Sequence, residues 1–586
     1  MEYIFQIGIF VAIFAILAGS YNLLIGYSGL FSLAHAAFFG LGAYGTALLT
    51  SPESDLVSTP WPIWLGMLVA VVFTALTGLI IAVPALRVSA DYLVVLSFGF
   101  QMVVVGVFLN WIQITKGESG ITGVQRPTLL GMELNSSGTF LIYAILLTLL
   151  VYYLLWRVTG TPYGRMLKAI RDDQIAAESL GKRVVRSKIE IFCYASGIAG
   201  LAGAMFAQYV RVVSPASFLL DVSVEILAML ILGGTANILG SLVGAAVLTV
   251  LPELLRFLDV GSGHSEQVRL IVFGALLILI LRFRPEGLLP EYWRPAWLRR
   301  RQERAVADDL AELRQGPLVL PPEVLGTTAK TGRPAIMMEV EDAVRSFGGI
   351  RALNGFSTTL ETGRITALIG PNGAGKTTAF NLITGFLAPD SGRILLAGLD
   401  ITNTKPHLLA GLGVARSFQN LRLFYQMTVL DNVMVGIPGQ KGERLAWATV
   451  AMGPTWKEER QTRRMALQIL RYVGLEERAL TLAENLSYAE EKLLVLARML
   501  AMQADLLLLD EPASGLDPNS LDAMYAMIRQ LAEGGKTICI IEHNLDVIKE
   551  LAHKIVFLDE GRAFAEGSTE SLLKNPELAA RYFGNA

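Results

Sequence analysis

The chain has 586 residues, of which 53% are hydrophobic and 17% charged. That length calls for more than one domain, and the apolar excess exceeds that of an ordinary soluble protein. A net charge of -2 excludes nucleic acid as the main partner, since phosphate binders carry a basic excess, and two cysteines, Cys193 and Cys539, leave no disulfide framework.

The apolar surplus lies in the first half. A helix needs about 20 apolar residues to cross the hydrocarbon core. Candidate spans are residues 4–25, 30–49, 61–83, 92–111, 140–156, 188–210, 239–255 and 268–281, with a shorter apolar piece at 222–232. The run 4–25 has neither a basic leading region nor a cleavage site, so it reads as a retained span. Glycine is dense here, as at Gly40, Gly42, Gly45, Gly197, Gly200, Gly203, Gly233, Gly234, Gly240 and Gly244. Small residues let helices approach closely in lipid, and interrupted helices can also line a solute path. His35 and Gln101 beside these runs either face such a path or make interhelical hydrogen bonds. The cysteines read as buried small hydrophobes.

Charge returns after Pro285. Residues 291–335 read as a linker, with the basic run 299–304, a charged and partly helical stretch at 305–314, and a Pro/Gly/Thr-rich stretch at 317–334. A soluble α/β domain is expected over 336–586, behind a transmembrane domain over 1–290.

Residues 370–377 (Gly370, Pro371, Asn372, Gly373, Ala374, Gly375, Lys376, Thr377) form a phosphate-binding loop between a strand-like run at 365–369 and a helix-like run that begins at Thr378. Its glycines let backbone N–H groups wrap phosphates, Lys376 reaches the β/γ-phosphates, and Thr377 holds magnesium. The apolar run 506–509 ends in Asp510 and Glu511. A carboxylate at the end of a buried parallel strand can hold the metal, and the next can act as general base. A second such run, 538–541, delivers Glu542 and His543, placing an imidazole beside the γ-phosphate. Gln419 is expected at the mouth of the site, sensing magnesium or water, and Phe347 is expected to stack on adenine.

In this order the elements resemble the ABC transporter ATPase family over nearly all of residues 337–586. The matching positions are Phe347 of the adenine loop, the Walker A loop, Gln419 of the Q-loop, the signature at 486–490, Walker B at 506–510 with Glu511, the D-loop at 514–517, and the switch His543. The resemblance implies ATP and Mg2+ as cofactors and a head-to-tail ATPase dimer, in which Ser487 contacts the partner's nucleotide. One departure stands out: the signature carries Ala489 and Glu490 where the family usually has Gly and Gln. The composite site built on it is therefore expected to be weakened.

The first half resembles the LivM-type permease of branched-chain amino-acid importers at residues 22–29, 32–40, 91–93, 164–173, 176–181 and 284–288. The second half is most similar to the LivG type at 413–424 and 541–546. Gln101 stands where that permease family usually carries Glu. Residues 164–181 read either as a basic cytoplasmic loop or, by the resemblance, as the element that couples permease to ATPase.

Topology follows by parity. Arg157, Arg165, Lys168, Arg171, Lys182, Arg183, Arg186 and Lys188 place their segment in the cytoplasm, where the ATPase must also lie. An even number of crossings between them requires 222–232 to be counted, as a half-helix buried in protein. The N-terminus and residues 51–60 are then outside, and 84–91 with Arg87 inside. The expected fold is a polytopic α-helical membrane domain of about nine segments followed by an α/β P-loop ABC ATPase.

The implied protein is a multi-pass subunit of the plasma (inner) membrane, embedded in lipid, that imports branched-chain or related amino acids at the expense of ATP. Its implied partners are a second permease, a second ATPase from a different half-transporter, and an extracytoplasmic solute-binding protein. Urea, short amides or small organic acids are alternative cargoes. A regulatory or scaffold subunit with an impaired ATPase is the alternative from another class.

Overall fold

The structure is a computed structural model that describes residues 1–85, 90–129, 132–257, 282–325, 334–450 and 453–573, with isolated positions between 271 and 279. It divides into two compact units. The first holds Met1–Arg171, Val184–Ala296 and Gly442–Ala451, and the second Asp172–Arg183, Trp297–Lys441 and Met452–Ala586.

The first unit is helical. Among the described residues, five helices are long and apolar enough to cross a membrane: Glu2–Tyr27, Ile63–Pro84, Tyr92–Asn110, Ser137–Thr159 and Val184–Val210. The expected count of about nine is not reached by such helices. The run 30–49 is helical only over His35–Thr50, and the run 222–232 lies in the 14-residue helix Leu220–Gly233. At about 1.5 Å per residue, neither helix alone covers a core about 30 Å thick. The run 239–255 lies in Ile238–Phe257. Most of 268–281 and the loop around Arg87 lie outside the described residues.

The short second helix has a physical cause. The first helix ends in a π turn, Leu23–Tyr27, and Gly29 takes a left-handed φ of +67° that breaks the run. The next helix starts with unpaired N–H groups, which cannot be left bare at membrane depth. Side chains from other segments accept them: Ser223 Oγ takes Ala36 N at 2.9 Å, and Gln101 Oε1 takes Ala37 N at 2.7 Å. Gln101 Nε2 donates in turn to Phe218 O at 2.7 Å. Gln101 is thus an interhelical brace. His35 is fully buried, with Nε2 at 2.8 Å from Ser20 Oγ, while its Nδ1 has no hydrogen-bond partner among the described residues.

The glycines pack helices closely. A Cβ on Gly42 would lie 2.0 Å from Gly200 O, and one on Gly203 would lie 2.0 Å from Phe39 O. His35–Thr50 therefore seats backbone to backbone on Val184–Val210.

The second unit carries a six-stranded sheet in the order Val414–Arg416, Leu506–Asp510, Thr537–Ile541, Ile365–Ile369, Lys554–Asp559, Arg562–Ser568. All neighbours are parallel except the last pair. The strands Ile365–Ile369, Leu506–Asp510 and Thr537–Ile541 are buried throughout, as continuous apolar runs require. A second sheet, Ile350–Glu361, Ile336–Phe347, Ser391–Leu396 and Leu399–Asp400, is antiparallel. Phe356, Phe380, Leu508 and Cys539 share the core between these layers. Cys539 is buried, whereas Cys193 is only half-buried. The helix Ala296–Arg314 occupies much of the segment expected as a linker, and 326–333 lies outside the described residues.

Candidate active site

The C-terminal ends of the parallel strands carry the phosphate loop, Asp510, Glu511 and His543, at the edge where open α/β sheets bind ligands, whereas Phe347 ends a strand of the antiparallel sheet and Ser487 starts a helix. Strand Ile365–Ile369 leads into the 370–377 loop, and helix Lys376–Ile383 starts within it. Gly375 has φ +106°, and a Cβ there would lie 2.4 Å from Ala352 O. Only glycine fits that turn. Lys376 is buried and donates from Nζ to Gly370 O at 2.7 Å and Pro371 O at 2.9 Å. Burial holds its ammonium pKa below the ordinary lysine value. Pro371, Asn372, Gly373 and Thr377 are exposed, Thr378 is partly exposed and Ala374 is buried.

Asp510 is buried at the end of its strand, and its backbone N–H donates to Ser417 Oγ at 2.8 Å. Burial pushes its carboxyl up, against the nearby Arg416, whose Nη2 stands 3.8 Å from Oδ2. Among the described residues that buried Oδ2 has no hydrogen-bond partner. A bare buried carboxylate oxygen fits a magnesium ligand. Among the described residues no group of three or more His, Cys, Asp or Glu forms a cage. A magnesium ion shared with phosphate and water needs none.

Glu511 takes φ +48°, an unfavourable conformation for a non-glycine residue, fixed by its N–H donating to Ile541 O at 3.0 Å. Its Oε1 lies 3.1 Å from His543 Nε2. Lys492 Nζ donates to Glu511 O at 2.7 Å. Next to His543, Glu542 is buried and accepts Ala513 N at 3.2 Å, and burial raises its pKa. Carboxylate and imidazole are thus paired at adjacent strand ends. Gln419 is exposed two residues beyond Ser417, and Phe347 is 46% exposed with Arg345 over its ring. The exposure of Phe347 suits adenine stacking, for which the Arg345 guanidinium would have to leave the ring or lie on its other side.

Ser487 caps the signature helix Tyr488–Ala501 in a capping box with Glu490. Glu490 Oε2 takes Ser487 N at 2.8 Å and Ser487 Oγ at 3.0 Å, and Arg478 holds Oε1 at 3.1 Å. The serine hydroxyl therefore already has an anionic partner from its own chain.

Sequence reading missed several supporting residues. Arg416, buried between Phe380 and Phe418, donates to Asn381 Oδ1 and Thr384 Oγ1. An arginine closing a buried strand was its only signal. Arg422 Nη1 donates to Asp173 at 2.9 Å, and Arg498 Nη1 holds the Arg422 carbonyl at 2.9 Å. Asp173 also caps the helix Gln174–Ser179, which packs on Pro406–Gly411. Residues 172–183 are thus part of the second unit.

Two family descriptions match the chain: "Branched-chain amino acid transport system / permease component" over residues 3–281, and "ABC transporter" over 353–514. The branched-chain amino acid transport ATP-binding protein BraF of Pseudomonas aeruginosa is 35% identical over 251 residues, covering 43% of this chain and 98% of that protein. The probable LivG of Archaeoglobus fulgidus is 36% identical, covering 42% and 95%. The permease protein LivM of Salmonella typhimurium is 32% identical over 301 residues, covering 47% of this chain and 68% of that protein.

Proposed function

Because the chain belongs to the ABC transporter family, with a permease and an ATP-binding domain in one polypeptide, we propose that it imports branched-chain or closely related amino acids. It is a multi-pass membrane protein and an ATP hydrolase coupled to transport. The amino-acid class is supported by the names of relatives of both halves. The observation that carries the catalytic reading is the Glu511–His543 pair at 3.1 Å, set beside the phosphate loop on a strained backbone.

In the catalytic cycle Lys376 leaves the carbonyls of Gly370 and Pro371 to meet the β/γ-phosphates, while N–H groups of 370–378 wrap them. Phe347 stacks on the adenine. Glu511 accepts the proton of the attacking water, and His543 orients that carboxylate and faces the γ-phosphate. Thr377 and Asp510, with Gln419 at the mouth, would hold Mg2+, which when bound neutralises charge on the β- and γ-phosphates. Ser487 serves the nucleotide of a partner ATPase. The Asp173–Arg422 contact couples residues 164–181 to the ATPase cycle. The working assembly adds a second permease, a second ATPase from a different half-transporter, and an extracytoplasmic solute-binding protein. Its ATPase domains lie on the cytoplasmic side of the inner membrane.

The test is ATP turnover of the assembled complex in proteoliposomes with its solute-binding protein. Leucine, isoleucine or valine should stimulate wild type, and Glu511→Gln should abolish the turnover. Stimulation by urea, short amides or small organic acids alone would replace the cargo. Turnover that survives Glu511→Gln would assign hydrolysis to the partner's site.

A further inference from the structure

Residues 296–325 lie between the two matched regions, which end at 281 and begin at 353. They are nevertheless docked. From Trp297 onward they belong to the second unit, where they run along the helix Gly453–Tyr472. Asp309 is the pin, its side chain 1% exposed. Its Oδ2 takes Arg463 Nη2 at 2.7 Å and Nε at 2.8 Å, its Oδ1 takes Arg464 Nε at 2.9 Å, and Arg460 stands 3.8 Å away. Burial alone would raise this carboxyl, but the bonds from Arg464 and Arg463 outweigh it and hold the pKa below the ordinary aspartate value.

The docking continues along the chain. Arg464 pairs with Glu312, Arg471 donates to the carbonyls of Leu313 and Gly316, and Gln468 Nε2 donates to Val319 O at 2.8 Å. Val306, Leu320 and Val324 are buried. At one point the strap comes next to a residue that holds the signature: Arg314 pairs with Glu477, and the next residue, Arg478, holds the Glu490 that engages Ser487. Its far end lies against Gly534, where a Cβ would be 3.2 Å from Leu325 Cδ2. Gly534 closes the helix Pro518–Glu533, immediately before the strand that delivers His543.

We propose that residues 297–325 are a built-in strap that fixes the signature-bearing helices against the catalytic sheet, with Asp309 as its positioning residue. A buried carboxylate shared by two arginines, with a third nearby, gives the strap one register. Its loss leaves those cations without their buried counter-charge. The strap's contacts described above go to the helix Gly453–Tyr472, to Glu477 and to Gly534, so it acts on closure and turnover and not on ATP capture by this chain.

The inference rests on the reading of the chain as a solute-stimulated ATPase. The test compares wild type, Asp309→Asn and Asp309→Glu in the full assembled complex, reading KM for ATP, kcat with and without leucine, and binding of an ATP analogue. Asp309→Asn is expected to cut solute-stimulated kcat at least fivefold and leave analogue affinity within twofold, and Asp309→Glu to recover part of the turnover. Should Asp309→Asn not assemble, Arg471→Gln, which removes the bonds to the Leu313 and Gly316 carbonyls, should show the same kcat-selective loss on a smaller scale. Unchanged kcat, or a loss matched by lost analogue binding, would overturn the strap as a positioning element. If wild type hydrolyses ATP with no response to any amino acid, the cargo reading falls and the strap is judged on basal kcat, which must still drop.

Discussion

Restoring the signature should speed the transporter. Glu490 Oε2 sits 3.0 Å from Ser487 Oγ, the hydroxyl proposed to reach a partner's γ-phosphate. A phosphate oxygen hydrogen-bonded to that hydroxyl would lie about 5–6 Å from the carboxylate, given donor–acceptor distances of about 2.8 Å. Two unit charges at that separation repel by about 3 kcal/mol at an effective dielectric of 20, and by about 1 kcal/mol in bulk water. Glu490 is partly exposed and Arg478 neutralises its other oxygen, so the lower half of that range applies. This corresponds to roughly a tenfold penalty on nucleotide-driven closure, about 1.4 kcal/mol. Gln at this position keeps the capping box and removes the charge, while Ala489→Gly removes a Cβ where phosphate approaches. The double variant Ala489→Gly, Glu490→Gln should therefore raise ATP turnover of the assembled complex several-fold, measured by phosphate release at saturating ATP. Acid is no substitute. The Ser487 backbone N–H, then its hydroxyl and Arg478, hold the Glu490 carboxyl below the ordinary glutamate value. Its charge, and the cap it makes, persist at every pH above that value and fade only as pH falls through the lowered one. Turnover equal to wild type in the double variant would refute the reasoning, and so would a matching activation produced merely by lowering pH from 7.5 to 5.5.

Two other expectations concern single contacts. Asp173→Asn keeps an acceptor for the cap on Gln174–Ser179 but removes the charge facing Arg422, about 0.2–1 kcal/mol for a partly exposed pair. Solute transported per ATP should fall several-fold with basal turnover retained, as dual assays of uptake and phosphate release would show; equal losses in both would remove the coupling role. Arg416→Gln takes away the charge that opposes the burial-driven rise of Asp510. Asp510 then holds its proton to higher pH, so the acid limb of the Mg2+-dependent rate profile should move upward, and an unmoved limb would contradict the assignment.

What was legible in the sequence was what local chemistry dictates. The phosphate loop declares itself because Gly370 and Gly375 occupy turns that admit no Cβ, directly between a buried strand and a helix. Leu506–Asp510 and Thr537–Ile541 read as buried strands because parallel strands covered on both faces leave no polar alternation. Long spans such as Ser137–Thr159 follow from hydropathy alone. Hydropathy fails at residues 28–34, because the break there is written in distant polar groups. Ser97 Oγ accepts Leu33 N at 2.9 Å, and Ser223 and Gln101 accept the first N–H groups of the next helix. None is near that run in sequence, and a window of apolar residues cannot weigh them.

Asp309 makes the same point for the second unit. In sequence it sits in a charged stretch that reads as solvated linker, and by composition that is the sensible reading. Its partners, Arg463 and Arg464, lie more than 150 positions away. Only folding turns the charge run into a buried ionic pin. Gln101 and Asp309 are therefore alike: each is a polar residue whose surroundings in sequence suggest one environment and whose long-range partners create another. In the first unit such a residue ends a helix at membrane depth, and in the second it fixes a segment that neither matched family region contains. Fusing two subunits does not by itself create such a contact, since a flexible tether would join them equally well. A carboxylate buried to 1% exposure against two arginines is costly unless the geometry is kept, and that cost ties the strap to one position on the ATPase.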